Sequence, residues 1–160
     1  MPRGKSVPKR VITPDPIYNS ELLAKFINTV MKRGKKSVAQ QIVYGALETV
    51  KEKKNEAPLK VFETVIDLVR PQVEVRSKRV GGANYQVPLP VAPNRQNALA
   101  FRWLIEAARS RKGAAMQEKL ATEMMDVLAG TGGALKKKED VHRMAEANKA
   151  FAHFARFSRK

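Results

Sequence analysis

The chain has 160 residues, a length typical of one domain, and 43% of them are hydrophobic, enough to bury a core. Its 31 Lys and Arg residues against 15 Asp and Glu give a formal net charge of +16. This charge favours a polyanionic partner, and nucleic acid is favoured over membrane because no apolar run approaches the roughly 20 residues of a membrane span. The absence of cysteine excludes disulfides, thiol catalysis and Cys-ligated zinc.

The first predicted segment is an extended basic arm over residues 1–17. Four prolines interrupt it and few of its residues could enter a core, so we expect no regular element there. It has no apolar segment of the signal-peptide kind, and we therefore expect a cytoplasmic protein. Its cations are candidate phosphate contacts: Arg3, Lys5, Lys9 and Arg10.

A helix and a basic turn are predicted next. Asn19 or Ser20 would cap the helix, and its apolar residues follow at helical spacing. Those residues are Leu22, Leu23, Phe26, Ile27, Val30 and Met31. Gly34 is expected to break the helix. The turn supplies four more candidate phosphate contacts: Lys32, Arg33, Lys35 and Lys36.

Two further helices precede a change of period. Ser37 with Gln40 resembles a capping box and would begin the second helix. Pro58 fits an early position of the third helix, and Pro71 would stop it. The predicted apolar stripes are Val38, Ile42, Val43, Ala46, Leu47 and Val50 in the second helix, and Leu59, Phe62, Val65, Ile66 and Val69 in the third.

Residues 72–91 alternate with period two and predict a β-hairpin that turns at Gly81-Gly82. Side-chain alternation favours a three-residue turn, Gly81-Gly82-Ala83, because it pairs Val75 with Leu89 and keeps apolar residues on one face. A two-residue turn would pair Val75 with Pro88 instead. The chosen register places Arg76 and Lys78 beside Gln86. The candidate phosphate contacts of the hairpin are Arg76, Lys78 and Arg79.

Three helices complete the chain. The fourth is expected from Pro93 to about Lys112, and Arg95, Arg102 and Arg109 recur every seven residues along it, which places them on one seam. A fifth helix carries Met116, Leu120, Met124 and Val127, and Thr131-Gly132-Gly133 is predicted as a turn. A last helix carries Val141, Met144, Ala145, Asn148, Phe151 and Ala152, and the cations before them are Lys136, Lys137 and Lys138.

The prediction is a mainly α fold: a six-helix, bundle-like body with one protruding two-stranded β-hairpin and a basic extended N-terminal arm. We expect a single RNA-binding domain over residues 1–160. The cations at exposed turns and on the hairpin have few acids nearby, and such a ribbon can reach grooves or single strands of RNA.

Candidate chemical groups have simpler structural interpretations. Glu63 and Asp67 are spaced as a carboxylate pair, but no positioned partner for acid–base catalysis is evident. Glu139 and Asp140 before His142 suit an acidic helix start better than a metal site. We therefore expect no enzyme, no metal and no cofactor.

Two aromatic residues could stack on RNA bases. Trp103 lies nearly opposite Phe101 on the fourth helix, and packing between helices is favoured over base stacking. Tyr85 lies on the apolar side of the hairpin, where interior packing and RNA stacking are both open.

Three segments of the chain resemble the bacterial small-subunit ribosomal protein seven family. The segments that carry the resemblance are Ser20–Ala46 with Gly34-Lys35-Lys36, the hairpin Glu74–Gly82 with Tyr85–Pro88, and Lys136–Lys149. They match in order and together cover essentially the whole chain.

The resemblance implies a protein that binds the 3′ major domain of small-subunit ribosomal RNA and initiates assembly of the subunit head. The implied partners are that RNA and other head and platform proteins, with no membrane and no homo-oligomer. The hairpin would lie near the exit tRNA site and the messenger path. The residues implied to be nearest to tRNA and messenger are Arg79, Gly81, Gly82, Asn84 and Tyr85.

Two other functions fit parts of the sequence. A DNA-binding regulator would use the basic turn from Lys32 to Lys36 between two helices, but both helices have wide apolar stripes and the charge is spread over several segments. An RNA chaperone or RNA-modifying enzyme would also be basic, yet the sequence offers no catalytic group.

Overall fold

The computed structural model describes residues 11–80 and 82–158. Within those ranges the chain forms six α-helices, one antiparallel hairpin and a C-terminal run of 3₁₀ turns. In order they are α1 (Glu21–Val30), α2 (Lys36–Lys54), α3 (Pro58–Val69), β1 (Val73–Val80), β2 (Ala83–Pro90), α4 (Pro93–Ser110), α5 (Met116–Leu128), α6 (Gly133–Ala147) and the 3₁₀ segment (Lys149–Ser158). The mainly α fold with one two-stranded hairpin is confirmed. No helix in the described ranges is long and apolar enough to cross a membrane.

The described residues fall into two compact units, one ending at Gln40 and the other beginning at Gln41. In the first unit, α1 buries one apolar face: Leu23, Ala24, Phe26, Ile27 and Val30. In the second unit, α3, α4, α5 and α6 contact one another. Fully buried side chains of that unit include Phe62, Ile66, Leu104, Leu120 and Met124.

The segment before α1 differs from the predicted extended arm. Asp15 is buried, and one carboxylate oxygen accepts hydrogen bonds from the backbone N–H groups of Ile17 (3.2 Å) and Tyr18 (3.1 Å). The Asn19 N–H donates to the Asp15 carbonyl at 2.8 Å. An aspartate that satisfies the following N–H groups favours a turn, so the arm ends before Asp15. Residues 1–10, with Arg3, Lys5, Lys9 and Arg10, lie outside the described residues.

The starts of α1 and α2 test two capping predictions. Ser20 caps α1, and its Oγ accepts a hydrogen bond from the Leu23 N–H at 3.3 Å. The capping box at Ser37 is wrong, because α2 already begins at Lys36. The apolar stripe of α2 is shifted by one residue at its start: Val38 is 46% exposed, whereas Ala39 is buried.

The later helix boundaries are partly as expected. Pro58 and Pro93 stand in the first turns of α3 and α4. Helix α4 ends at Ser110 rather than near Lys112, and Gly133 begins α6 instead of closing a turn. The predicted last helix is divided, because α6 ends at Ala147 and the 3₁₀ segment follows. Met144, predicted in the apolar stripe, is exposed.

The predicted three-residue turn is wrong, and the hairpin adopts the register with a two-residue turn. Val80 pairs with Ala83, so the turn has two residues, and Val75 lies opposite Pro88. Gly82 has φ +92°, a left-handed conformation that glycine adopts without strain. Apolar residues of β2 therefore share a face with charged residues of β1: Leu89 with Glu74, Val87 with Arg76, and Tyr85 with Lys78. The charged residues have partners on this face, which is why alternation of apolar residues alone gives the wrong register.

Candidate nucleic-acid interface

The basic turn between α1 and α2 has a defined backbone. The Lys35 N–H donates to the Lys32 carbonyl at 3.1 Å, and Arg33 and Gly34 both have positive φ, at 54° and 74°. Two successive positive φ angles are typical of a type I′ turn. All four predicted cations of this turn are exposed: Lys32, Arg33, Lys35 and Lys36. The left-handed backbone conformation of Arg33 lowers stability by about 1–3 kcal/mol, so the turn that exposes this guanidinium is slightly strained.

A nearly buried carboxylate joins two arginines that the sequence analysis assigns separately. Glu74 on β1 is 9% exposed. One of its oxygens, Oε1, contacts Arg76 Nη2, and the other, Oε2, accepts a hydrogen bond from Arg95 Nε on α4 at 3.2 Å. The structure therefore brings the hairpin arginine and the first arginine of the α4 seam together.

The seam on α4 continues away from this cluster. Arg102 and Arg109 are exposed, as is Arg95 at the start of the helix. Trp103 is buried on the same helix. The prediction that Trp103 packs in the interior is confirmed, and its ring is not presented for base stacking.

The middle of the hairpin contacts the C-terminal 3₁₀ segment. Lys78 Nζ donates to the Phe154 carbonyl at 2.9 Å. The Tyr85 ring lies 5.1 Å from the Phe151 ring and 5.2 Å from the Phe154 ring, centroid to centroid. Of the two interpretations of Tyr85, the structure favours interior packing.

The hairpin tip lies beyond this anchor. Arg79, Gly82 and Asn84 are exposed there. Gly81, which the sequence analysis also assigns to the tip, lies outside the described residues. The exposed tip offers one guanidinium, one side-chain amide and backbone groups to a ligand.

Three successive lysines lie in the first turns of α6. Lys136 and Lys137 are exposed, whereas Lys138 Nζ donates to the Leu68 carbonyl at the end of α3, at 2.6 Å. Cations near a helix N-terminus oppose the helix dipole. Lys136 and Lys137 are thus suited to an external anion, while Lys138 has a structural partner.

A carboxylate that the sequence analysis does not single out holds three elements together. Glu123 on α5 is 1% exposed. Its Oε1 accepts from the Ala134 N–H at 2.9 Å, which caps α6, and its Oε2 accepts from Arg111 Nε at 2.9 Å. Hydrogen bonding to Glu123, with a further contribution from Asp126, raises the pKa of Arg111. The sequence contains a signal for this structural role, because Glu123 falls on the apolar stripe of α5, where a charged side chain needs buried partners.

Glu139 and Asp140 lie within α6, which begins at Gly133, and the expectation that they form an acidic helix start is wrong. Asp67 contacts Arg70 Nη1. His142 Nε2 accepts a hydrogen bond from the Gln72 N–H at 3.3 Å, and burial, together with the charge of Lys138, lowers the pKa of His142. Over the part of the chain that the structure describes, no group of three or more His, Asp or Glu side chains could hold a metal ion.

Comparison with known proteins gives a consistent result. The family model described as "Ribosomal protein S7p/S5e" matches residues 2–149. Small ribosomal subunit protein uS7 of Pelotomaculum thermopropionicum is 60% identical over 154 residues, which is 96% of this chain and 99% of the relative. The uS7 proteins of Pseudomonas syringae pv. tomato and Idiomarina loihiensis are each 58% identical with the same coverage.

Proposed function

Because the chain belongs to the ribosomal protein S7p/S5e family, we propose that it binds the 3′ major domain of small-subunit ribosomal RNA and initiates assembly of the subunit head. The protein is a structural, non-enzymatic constituent of the small ribosomal subunit, associated with small-subunit RNA and other ribosomal components. The predicted cytoplasmic ribosomal location follows from this membership.

The observation that carries the proposal is the exposed arginine series of the second unit. Arg95, Arg102 and Arg109 are exposed along α4. Glu74 contacts both Arg76 and Arg95 and so brings the hairpin arginine next to this series. A helix sets the spacing of these arginines along one face, and a guanidinium can bind a phosphate through two parallel N–H donors. The exposed Lys136 and Lys137 supply further positive charge on α6.

Binding to a 3′ major domain RNA fragment tests the proposal. Changing Arg102 or Arg109 to Gln should weaken binding and make the salt dependence shallower by about 0.7–0.9 per lost phosphate contact. Lys51→Gln, at an exposed position on α2 near several acids, is the matched control and should leave both quantities unchanged. Preference for duplex DNA of the same length over the RNA fragment would contradict the proposal and support the regulator hypothesis.

We also propose that the hairpin tip lies beside exit-site tRNA and messenger. The exposed Arg79 and Asn84 support this role, since they are free of the contacts that hold Lys78 and Tyr85 to the 3₁₀ segment. Replacing residues 79–84 with a two-residue Asn-Gly turn should keep the fold while removing these groups. Subunits reconstituted with this variant should retain less tRNA at the exit site. Normal tRNA retention and normal reading-frame maintenance would contradict the placement of the tip.

A further inference from the structure

Glu74 stands out because it is an acid in a basic stretch of the chain and contacts two arginines. The stretch from residue 71 to residue 112 holds eight Lys and Arg residues and only two acids, Glu74 and Glu106. Both carboxylate oxygens of Glu74 face arginines, Arg76 on one side and Arg95 on the other. A carboxylate at this point lowers the positive potential that a polyanion would meet.

Stability is a weak reason for this arrangement. The side chains of Arg76 and Arg95 are 60% and 42% exposed, and ion pairs with such exposed partners contribute little because water screens them. Burial of the Glu74 carboxylate opposes even that small gain, since a charge loses hydration as it is covered. What the carboxylate does provide is a fixed geometry for two side chains from different elements.

We propose that Glu74 is a positioning residue, which holds Arg76 and Arg95 side by side so that together they receive a phosphate group of the RNA backbone. Each arginine meets one oxygen of Glu74, and a guanidinium has several N–H donors in a planar fork, so donors remain for a phosphate. This inference rests on the proposed RNA-binding function.

The physical advantage is prior ordering. Arginine side chains lose rotamer freedom when they bind, and this loss weakens association for each side chain that is immobilised. Glu74 already restricts Arg76 and Arg95 in the free protein, so less freedom remains to be lost. Uncoupling both arginines should therefore reduce specific affinity by about 10-fold.

Glu74→Gln tests the proposal directly, because the loss of positioning should lower affinity for the 3′ major domain fragment, whereas the loss of a negative charge alone should raise it. The variant keeps the shape of the side chain and makes the protein more positive by one unit. Affinity for the 3′ major domain fragment should fall by about 10-fold, while affinity for an unrelated RNA should rise or stay the same. If Glu74 is only an unfavourable charge, both affinities will rise, and that result would overturn the proposal.

Glu106→Gln is the matched control. Glu106 is the other acid of this stretch, lies exposed on α4 between Arg102 and Arg109, and undergoes the same change of charge. It should bind both RNAs at least as tightly as the original protein. A drop in specific affinity equal to that of Glu74→Gln would mean that neither acid positions the arginines.

Arg95→Lys covers the case in which Glu74→Gln unfolds. It preserves the net charge but lacks the planar fork that can meet a carboxylate and a phosphate together. We expect a loss of specific affinity of about 10-fold with an unchanged melting temperature.

In a double-mutant cycle, the effect of Arg76→Gln should be smaller when Glu74 is Gln than when it is Glu. Additive effects would overturn the positioning role.

The binding of the unaltered protein separates the two proposals. If it prefers the 3′ major domain fragment but Glu74→Gln binds that fragment equally well, only the role of Glu74 is wrong. If the unaltered protein shows no preference for the fragment over unrelated RNA, the proposed function and the positioning role are both overturned.

Discussion

At the scale of single residues, Glu123 shows how a carboxylate can be stable within an apolar stripe. It accepts hydrogen bonds from the Ala134 N–H and from the Arg111 guanidinium, so its charge is compensated on both oxygens. Gly132, the N-cap residue of α6, has no side chain to offer, and Glu123 takes over that role from another helix. A local sequence window around α6 cannot contain this cap.

Replacing Glu123 should destabilise the protein without touching its surface charge pattern elsewhere. We expect Glu123→Gln to reduce the free energy of unfolding by about 1–3 kcal/mol, because it weakens the bond to Arg111 and leaves buried donors poorly satisfied. Urea denaturation measures this change. Glu63→Gln, at an exposed position on α3, should stay within about 0.5 kcal/mol of the original protein. Equal effects of the two variants would contradict the capping role.

His142 should make stability depend on pH. Its pKa is lowered in the folded state by burial and then by Lys138, so the unfolded chain binds a proton more readily. Stability from this group is therefore fully present above the ordinary histidine pKa of about 6.5 and is lost as pH falls towards the lower folded value. Protonation also removes the Nε2 acceptor for the Gln72 N–H.

The measurement is the difference in pH profile between the original protein and His142→Gln. Between about pH 7.5 and pH 5.5, the free energy of unfolding of the original protein should fall further than that of the variant. The other histidine, His153, is present in both proteins and cancels in the comparison. Superimposable profiles would show that His142 does not contribute.

At the scale of elements, α6 combines a binding role with a weak helix start. Lys136 and Lys137 lie close to its N-terminus, where their charge opposes the helix dipole. Changing either one to Gln should raise the stability of the free protein by about 0.3–1 kcal/mol and lower RNA affinity. Lys138→Gln should instead lower stability, because Lys138 Nζ donates to the Leu68 carbonyl. Thermal unfolding in low salt distinguishes the two responses.

Elements with local markers could be predicted well from the sequence. Ser20 and Pro58 mark the starts of α1 and α3, and the apolar period defines the buried faces of both helices. The start of α2 could not, because residue size favours Val38 over Ala39 for the core while the turn before it sets the phase of the helix.

The hairpin and its site show where local patterns stop being sufficient. In the observed register Glu74 contacts Arg95, which is 21 residues away, and Tyr85 contacts the 3₁₀ segment, so its partners lie outside any local pattern. Sequence reasoning selects the basic residues, and the structure finds the described ones exposed except Lys78 and Lys138, which are partly buried by contacts with backbone carbonyls.

At the scale of the whole molecule, the interpretation as a single RNA-binding domain stays a prediction. The boundary between the two compact units falls within α2, between Gln40 and Gln41, and not in a linker. Breaking a continuous helix at its middle is unfavourable because helix formation is cooperative. We therefore expect one calorimetric transition with equal calorimetric and van't Hoff enthalpies. Two resolved transitions would contradict a single domain.

The anchor between the hairpin and the 3₁₀ segment has a mechanical consequence. Lys78 and Tyr85 lie directly opposite each other and are both held, so only the last two residue pairs of the ladder and the turn extend past the clamp. At about 3.3 Å of rise per residue, these two pairs span roughly 7 Å, and the turn lies beyond them. Because so short a part of the hairpin extends past these contacts, we expect the tip to bend little relative to the 3₁₀ segment. A ligand that contacts Arg79 or Asn84 would then lie at a nearly constant distance from the 3₁₀ segment.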